Sequence, residues 1–277
     1  MRARTITITT LFVLIAAFMM TMPSTTFAAG KGITIKGSTT VLPIAQATSE
    51  VFMEKNPAIQ ISVQGGGSGV GIASLIDKTT DIADSSRKIK GEEVEKAKAG
   101  GVSPFETEIA LDGIAVIVNP GNPIKALTKD QIRAVYTGKV SNWSQLGGKN
   151  EKIVVVSRDS SSGTYEAFDE LTLNKEKVRP DALTTASNQA VAQTVSQTPG
   201  AIGYVGIGYL SGKLKAVTVN GIACTKETVI TKKYPLARSL YMYTNGAPTG
   251  DAKKFIDFVL SKEGQKIVEE EGFVGLK

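Results

Sequence analysis

Lys152-Ile153-Val154-Val155-Val156-Ser157-Arg158-Asp159-Ser160-Ser161-Ser162-Gly163-Thr164 runs from a β-rich segment into the start of a helix. Valine and isoleucine suit a strand because branching at Cβ restricts χ1 and packs well on a pleated surface. The pattern from Tyr165 to Leu171 is helical. Ser162-Gly163-Thr164 therefore falls in the first turn, where backbone N–H groups have no partner within the helix. Two hydroxyls flank those groups, and Arg158 stands four residues before Ser162. All of them can donate hydrogen bonds to one compact anion.

The same alternation extends in both directions. Ile33–Lys36, Ile59–Gln64, Asp81–Asp84, Ala201–Val205 and Arg238–Thr244 read as strands. Val41–Lys55, Ile72–Asp77, Gly91–Ala99, Thr128–Tyr136, Asn188–Gln197, Asp251–Leu260 and Lys262–Glu270 read as helices. Pro43 fits a first helical turn, where a missing N–H does little harm. Phe105–Asn119 is longer than a typical strand and suggests a crossover, with Arg238–Thr244 as the return. Alternating strands and helices imply an α/β fold with mainly parallel sheets. Two crossovers imply two lobes and a cleft, and ligands in such sheets bind beyond the carboxyl ends of strands.

Four loops at those ends repeat one device of small hydroxyl residues before a helix. They are Gly37-Ser38-Thr39-Thr40, Gly67-Ser68-Gly69, Ser85-Ser86-Arg87 and Ser162-Gly163-Thr164. Any one of them alone reads as an N-cap. Together, with Arg158, they read as a site for a small oxyanion, each helix end favouring negative charge by about 0.3–1 kcal/mol. The glycine run at 65–71 has no Lys-Ser/Thr ending and lacks the dinucleotide spacing, so it is neither kind of nucleotide loop.

Composition narrows the function further. The chain has no histidine, which removes Ser-His-Asp and Cys-His catalysis, HExxH zinc sites and most transition-metal sites. No metal and no cofactor is expected. Basic and acidic residues are interspersed, so nucleic-acid binding is not expected either. The lone Cys224 cannot form an internal disulfide and reads as a small buried residue. Arg2 and Arg4, the short apolar run Leu11–Met20 and the small residues around Thr26-Phe27-Ala28 read as a cleaved signal peptide over residues 1–28. No cysteine directly follows the apolar run, so a non-lipidated periplasmic protein is expected, acting as a monomer.

Gly37-Ser38-Thr39-Thr40-Val41-Leu42-Pro43, Gln64-Gly65-Gly66-Gly67-Ser68-Gly69, Arg158 with Ser162-Gly163-Thr164, and Ala201-Ile202-Gly203-Tyr204 resemble the periplasmic phosphate-binding proteins of phosphate ABC importers. The resemblance covers the mature chain in order. It implies a type II periplasmic binding protein fold, with two α/β lobes and a two-strand hinge, and places lobe I at 29–111 and 237–277 and lobe II at 112–236. It also implies capture of inorganic phosphate, delivery to the importer's membrane subunits, and no enzymatic step. The implied ligands are Ser38, Thr39 and Thr40 in the first loop, Ser68 in the second, and Arg158, Ser162, Gly163 and Thr164 in the last.

One position departs from the pattern. The best-known members carry an aspartate after the third strand that accepts the ligand's proton, and Ser86 stands there in this chain. Asp112, at the first hinge, falls where those members have glycine. Asp112 is therefore the candidate replacement and Asp84 the second, the alternative being that Asp112 only braces the hinge. Arg87 is either a further cationic ligand or a structural partner, with the structural role favoured. Tyr204, Tyr209 and Trp143 are expected in the core or at an interface. Two other readings stay open: another tetrahedral oxyanion such as sulfate, molybdate or tungstate, or a hydrolase using Ser162 or Ser68 with a lysine or aspartate base.

Overall fold

The computed structural model describes residues 32–276, and the leader expected over residues 1–28 lies outside the described residues. Strands β1 (Ile33–Gly37), β2 (Ile61–Gly65) and β3 (Ile82–Ser85) alternate with helices α1 (Leu42–Lys55), α2 (Ser68–Ile76) and α3 (Gly91–Ala99). The long β4 (Pro104–Val118) leads into the second lobe. There the order is β5 (Ala126–Leu127), α4 (Lys129–Tyr136), β6 (Val154–Arg158), α5 (Gly163–Phe168), β7 (Leu183–Thr185), α6 (Asn188–Gln197) and β8 (Ala201–Gly206). The short β9 (Lys215–Ala216), β10 (Thr218–Val219) and α7 (Lys226–Ile230) follow. Then β11 (Ala237–Asn245) returns, and α8 (Gly250–Leu260) and α9 (Lys262–Glu270) complete the first lobe.

The main sheet has the order β2-β1-β3-β11-β4-β8-β6-β7, with β9 also on β4, and β5 and β10 make a separate pair. Pairing is parallel among β1, β2 and β3 and among β6, β7 and β8 where these meet. It turns antiparallel where β4 and β11 enter. Pro104–Gly113 ladders with β11, whereas Ile114–Val118 ladders with β8. Two adjacent strands thus carry the chain between lobes, the hinge expected from the crossovers. Ile114–Val118 and Ala201–Gly206 are buried throughout. Burial on both faces explains why these strands read as unbroken apolar runs rather than alternating ones. Each fully buried valine or isoleucine there contributes about 1.5–3 kcal/mol relative to an exposed one.

Several local expectations are corrected. β2 begins at Ile61, not Ile59. α2 begins at Ser68, so the glycine run supplies its first turn instead of preceding it. A Cβ on Gly71 would stand 2.5 Å from the Lys36 carbonyl and 2.7 Å from Gly37 Cα. Glycine lets this helix lie directly on β1, and that packing outweighs its poor helix propensity. Ser85-Ser86-Arg87 does not open a helix, because α3 starts only at Gly91. The helix after Gly163 ends at Phe168 and widens into a π-helical turn over Asp169–Leu173. The short strands β5, β7, β9 and β10 and the helix α7 carry too few residues for a periodic pattern and were not expected. Trp143 is fully buried, its Nε1 donating to the Gly200 carbonyl at 2.8 Å, as a core residue should.

Candidate functional site

The loops after β1, β2, β3 and β6 meet at the junction of the lobes. Ser38 is buried, and its Oγ accepts from the Thr40 amide at 3.1 Å, which tightens the turn into α1. Ser162 caps α5, its Oγ accepting from the Tyr165 amide at 3.2 Å. The two lobes touch through these termini. Thr40 Oγ1 and Thr164 Oγ1 are 2.7 Å apart, and the Gly69 amide donates to the Ser161 carbonyl at 2.9 Å. A Cβ on Gly163 would lie 2.2 Å from Ser68 Oγ, so only glycine permits α2 and α5 to approach end to end. Ser68 Oγ accepts from the Ser86 amide at 3.0 Å. Ser86 is thus drawn into the cluster even though it opens no helix.

Arg158 leaves the end of β6 with its side chain only 1% exposed. Nε donates to the Thr185 carbonyl at 3.1 Å and Nη2 to that of Ala186 at 3.0 Å. Nη1 is buried and finds no partner among the described residues. A buried guanidinium N–H without an acceptor is unfavourable enough that an anion is its natural complement. Burial lowers the Arg158 pKa, opposed chiefly by Asp159. Tyr204 supports the arginine from behind. Its hydroxyl accepts from the Arg158 amide at 3.2 Å, and its ring stacks on Phe168 with centroids 4.0 Å apart.

Asp112 is fully buried and lies directly against this cluster. Its Oδ1 accepts from the Ile207 amide at 2.9 Å. Its Oδ2 lies 2.7 Å from Arg238 Nη2. Burial pushes the carboxyl up and the guanidinium down, and their mutual attraction opposes both. With two charged donors and an amide on it, the pair is best described as ionised. Asp84 is equally buried, but its Oδ1 has no partner among the described residues, and burial alone holds its pKa well above the usual carboxylate range. Arg87 faces acidic partners. It grips Glu93 through two nitrogens at 2.7 and 2.8 Å, and its Nε reaches Glu166 across the lobes.

Two residues of the site, Asn188 and Arg238, escaped the sequence reading, and Tyr209, expected in the core or at an interface, joins them. Asn188 Nδ2 donates to Thr39 Oγ1 at 3.1 Å and Thr40 Oγ1 at 3.0 Å, while its Oδ1 accepts from the Gly206 amide at 3.1 Å. Tyr209 donates its hydroxyl to the Thr39 carbonyl. Arg238 reaches Thr40, Ser86, Gly163 and Thr164. A signal existed for Asn188, since Ser187 capping α6 repeats the hydroxyl-then-helix device. Arg238 could have been found by pairing the two crossovers in register, which sets it opposite Asp112. Among the described residues, no group of three or more His, Cys, Asp or Glu gathers to hold a metal ion. No described helix is long and apolar enough to cross a membrane.

A family model for the PBP superfamily domain matches residues 23–263. The phosphate-binding protein PstS of Bacillus subtilis is 36% identical over 248 residues, covering 89% of this chain and 81% of the relative. PstS of Borreliella burgdorferi is 36% identical over 259 residues, covering 89% of this chain and 91% of the relative. A phosphate ABC transporter substrate-binding protein from Clostridium perfringens, crystallised with bound phosphate, superposes with a TM-score of 0.83. It has 38% sequence identity, over 89% of this chain and 100% of that one. By these likenesses the chain belongs to the PstS family of phosphate-binding proteins within the PBP superfamily.

Proposed function

We propose that this protein captures inorganic phosphate between its lobes and delivers it to the membrane subunits of an ABC importer. The observation that carries the reading is the buried Nη1 of Arg158, without a partner among the described residues, on the arginine that ends β6 just before α5. That arginine and the strand-end loops offer amides, hydroxyls and a guanidinium to one tetrahedral anion. Ser38, Thr39, Thr40, Ser68, Ser86, Arg158, Ser162, Gly163 and Thr164 are the proposed contact residues. Asp112 is the proposed acceptor of the ligand's proton. A carboxylate has about four lone-pair sites, and Oδ1 is engaged by one described donor, the Ile207 amide.

The proposed division places lobe I at 29–111 and 237–277 and lobe II at 112–236, residues 1–28 being a cleaved leader and the mature protein a periplasmic monomer. Ligand contacts one lobe first and closure adds the contacts of the other, so differential binding to the closed form drives the motion. No covalent step is required, and the hydroxyls of Ser68 and Ser162 are engaged with Ser86 and the Tyr165 amide. Calorimetry and melting with phosphate, sulfate and molybdate, on protein stripped of carried-over ligand and across neutral to alkaline pH, test the proposal. Heat and a raised Tm with phosphate are expected. No response to phosphate at any pH would end it, and a preference for sulfate would transfer the site to another oxyanion.

A further inference from the structure

Arg238 sits on β11 with its Cα opposite Asp112 of β4. Nε donates to Asp112 Oδ2 at 2.9 Å. Nη1 donates to the Ser86 carbonyl at 3.1 Å and to that of Gly163 at 3.3 Å. Nη2 serves Asp112 and also donates to Thr164 Oγ1 at 3.0 Å and Thr40 Oγ1 at 3.3 Å. Thr40 and Ser86 follow β1 and β3, whereas Gly163 and Thr164 follow β6. One side chain on the hinge therefore holds backbone or hydroxyl groups from both lobes. A guanidinium has five N–H groups in a rigid fork, and all three nitrogens here already face protein acceptors. That suits an organiser of ligands better than a ligand.

We propose that Arg238 is a positioning residue that couples anion capture to lobe closure, fixing Thr40, Ser86, Gly163 and Thr164 in an arrangement that exists only when the lobes meet. The inference rests on the phosphate-capture reading above. Asp112 stays beside Arg238 in any lobe position, because β4 and β11 are laddered there. The other acceptors divide between lobes, so separation takes one half of them out of reach. Closure restores charge-assisted hydrogen bonds, which are stronger than neutral ones. Since these form after first contact, their loss acts mainly on dissociation.

Stopped-flow binding of inorganic phosphate and small-angle X-ray scattering test this on four proteins: wild type, Arg238→Lys, Asp112→Asn, and the paired Arg238→Met/Asp112→Asn. Lysine keeps a charge beside Asp112 but not the fork. A dissociation rate raised about tenfold or more is expected in Arg238→Lys, with little change in association. Its maximum dimension at saturating phosphate is expected to exceed that of wild type. The paired variant, which leaves no buried charge unpaired, is expected to melt cooperatively and show the same two changes relative to Asp112→Asn alone. A wild-type dissociation rate with full closure in Arg238→Lys would overturn the proposal, because a role limited to neutralising Asp112 predicts that result. If Arg238→Lys lacks a cooperative melt, the paired variant decides by the same readouts measured against Asp112→Asn alone, because Asp112 is itself a proposed ligand contact. Wild-type protein that ignores phosphate sinks the capture reading and this inference with it. A wild-type response with unaltered variants sinks this inference alone.

Discussion

Asp84 and Asp112 lie on strands either side of β11, and both are shut away from water. β11 meets them differently. It sets Arg238 opposite Asp112 and Met242 opposite Asp84. The first carboxyl gains a guanidinium and the Ile207 amide, while the second has only burial acting on it. Burial therefore says little about the charge of a carboxyl until its cross-strand neighbour is known. A facing donor favours the ionised form, and burial without one favours the protonated form. Asp112, the proposed acceptor, is the one that a guanidinium and an amide hold at the lobe junction.

The largest effect that would break this contrast is on stability. Asp112→Ala leaves Arg238 buried and unpaired, which is expected to lower the unfolding free energy by about 3–5 kcal/mol. Urea unfolding measures it, and removing the arginine as well should recover most of the loss. A change below about 1 kcal/mol would mean that the pair is reached by solvent.

Selectivity sharpens the same contrast. Asp112→Asn is expected to narrow the preference for phosphate over sulfate by about tenfold or more, since an amide does not repel the fully ionised anion. Asp84→Asn should leave that ratio where it is. Competition calorimetry separates the two, and unchanged selectivity in Asp112→Asn would remove Asp112 as the proton acceptor.

A third test is pH. Asp84 holds its proton more tightly in the fold than in the unfolded chain. Its contribution is complete below the ordinary carboxylate range and is lost as pH rises from there towards the raised value. Each unit of that displacement corresponds to about 1.4 kcal/mol. Asp84→Asn, titrated by denaturation between acid and neutral pH, should therefore lose less stability on raising pH than wild type. Equal slopes would show that Asp84 is ionised in the fold.

The smallest effect belongs to the rim, where Glu166 of the second lobe meets Arg87 and, at 3.0 Å, Lys90 of the first. Lys90 is largely exposed. Glu166→Gln should weaken phosphate binding by no more than about fivefold, corresponding to about 1 kcal/mol, and the difference should shrink with added salt. A loss as large as that of the buried arginine variants would make the rim, and not the floor, the main latch.

What the chain determined by itself is local. Val154–Val156 favours a strand because its residues are branched at Cβ, and Ser162 caps the next helix within the span of a few bonds. Gly37–Thr40, Ser68, Arg158 and Ser162–Thr164 were legible for that reason, each lying where a strand ends. The missed parts answer to distance along the chain. Arg238 bonds Asp112 across 126 positions and Asn188 bonds Thr40 across 148. Ser86 enters the site through Ser68 and not through a helix of its own. Which residue stands opposite a buried acid depends on the register of β4 against β11, and how the loops meet depends on how closely α2 approaches α5. Only the packed tertiary structure sets these, because no propensity or short-range period couples residues so far apart.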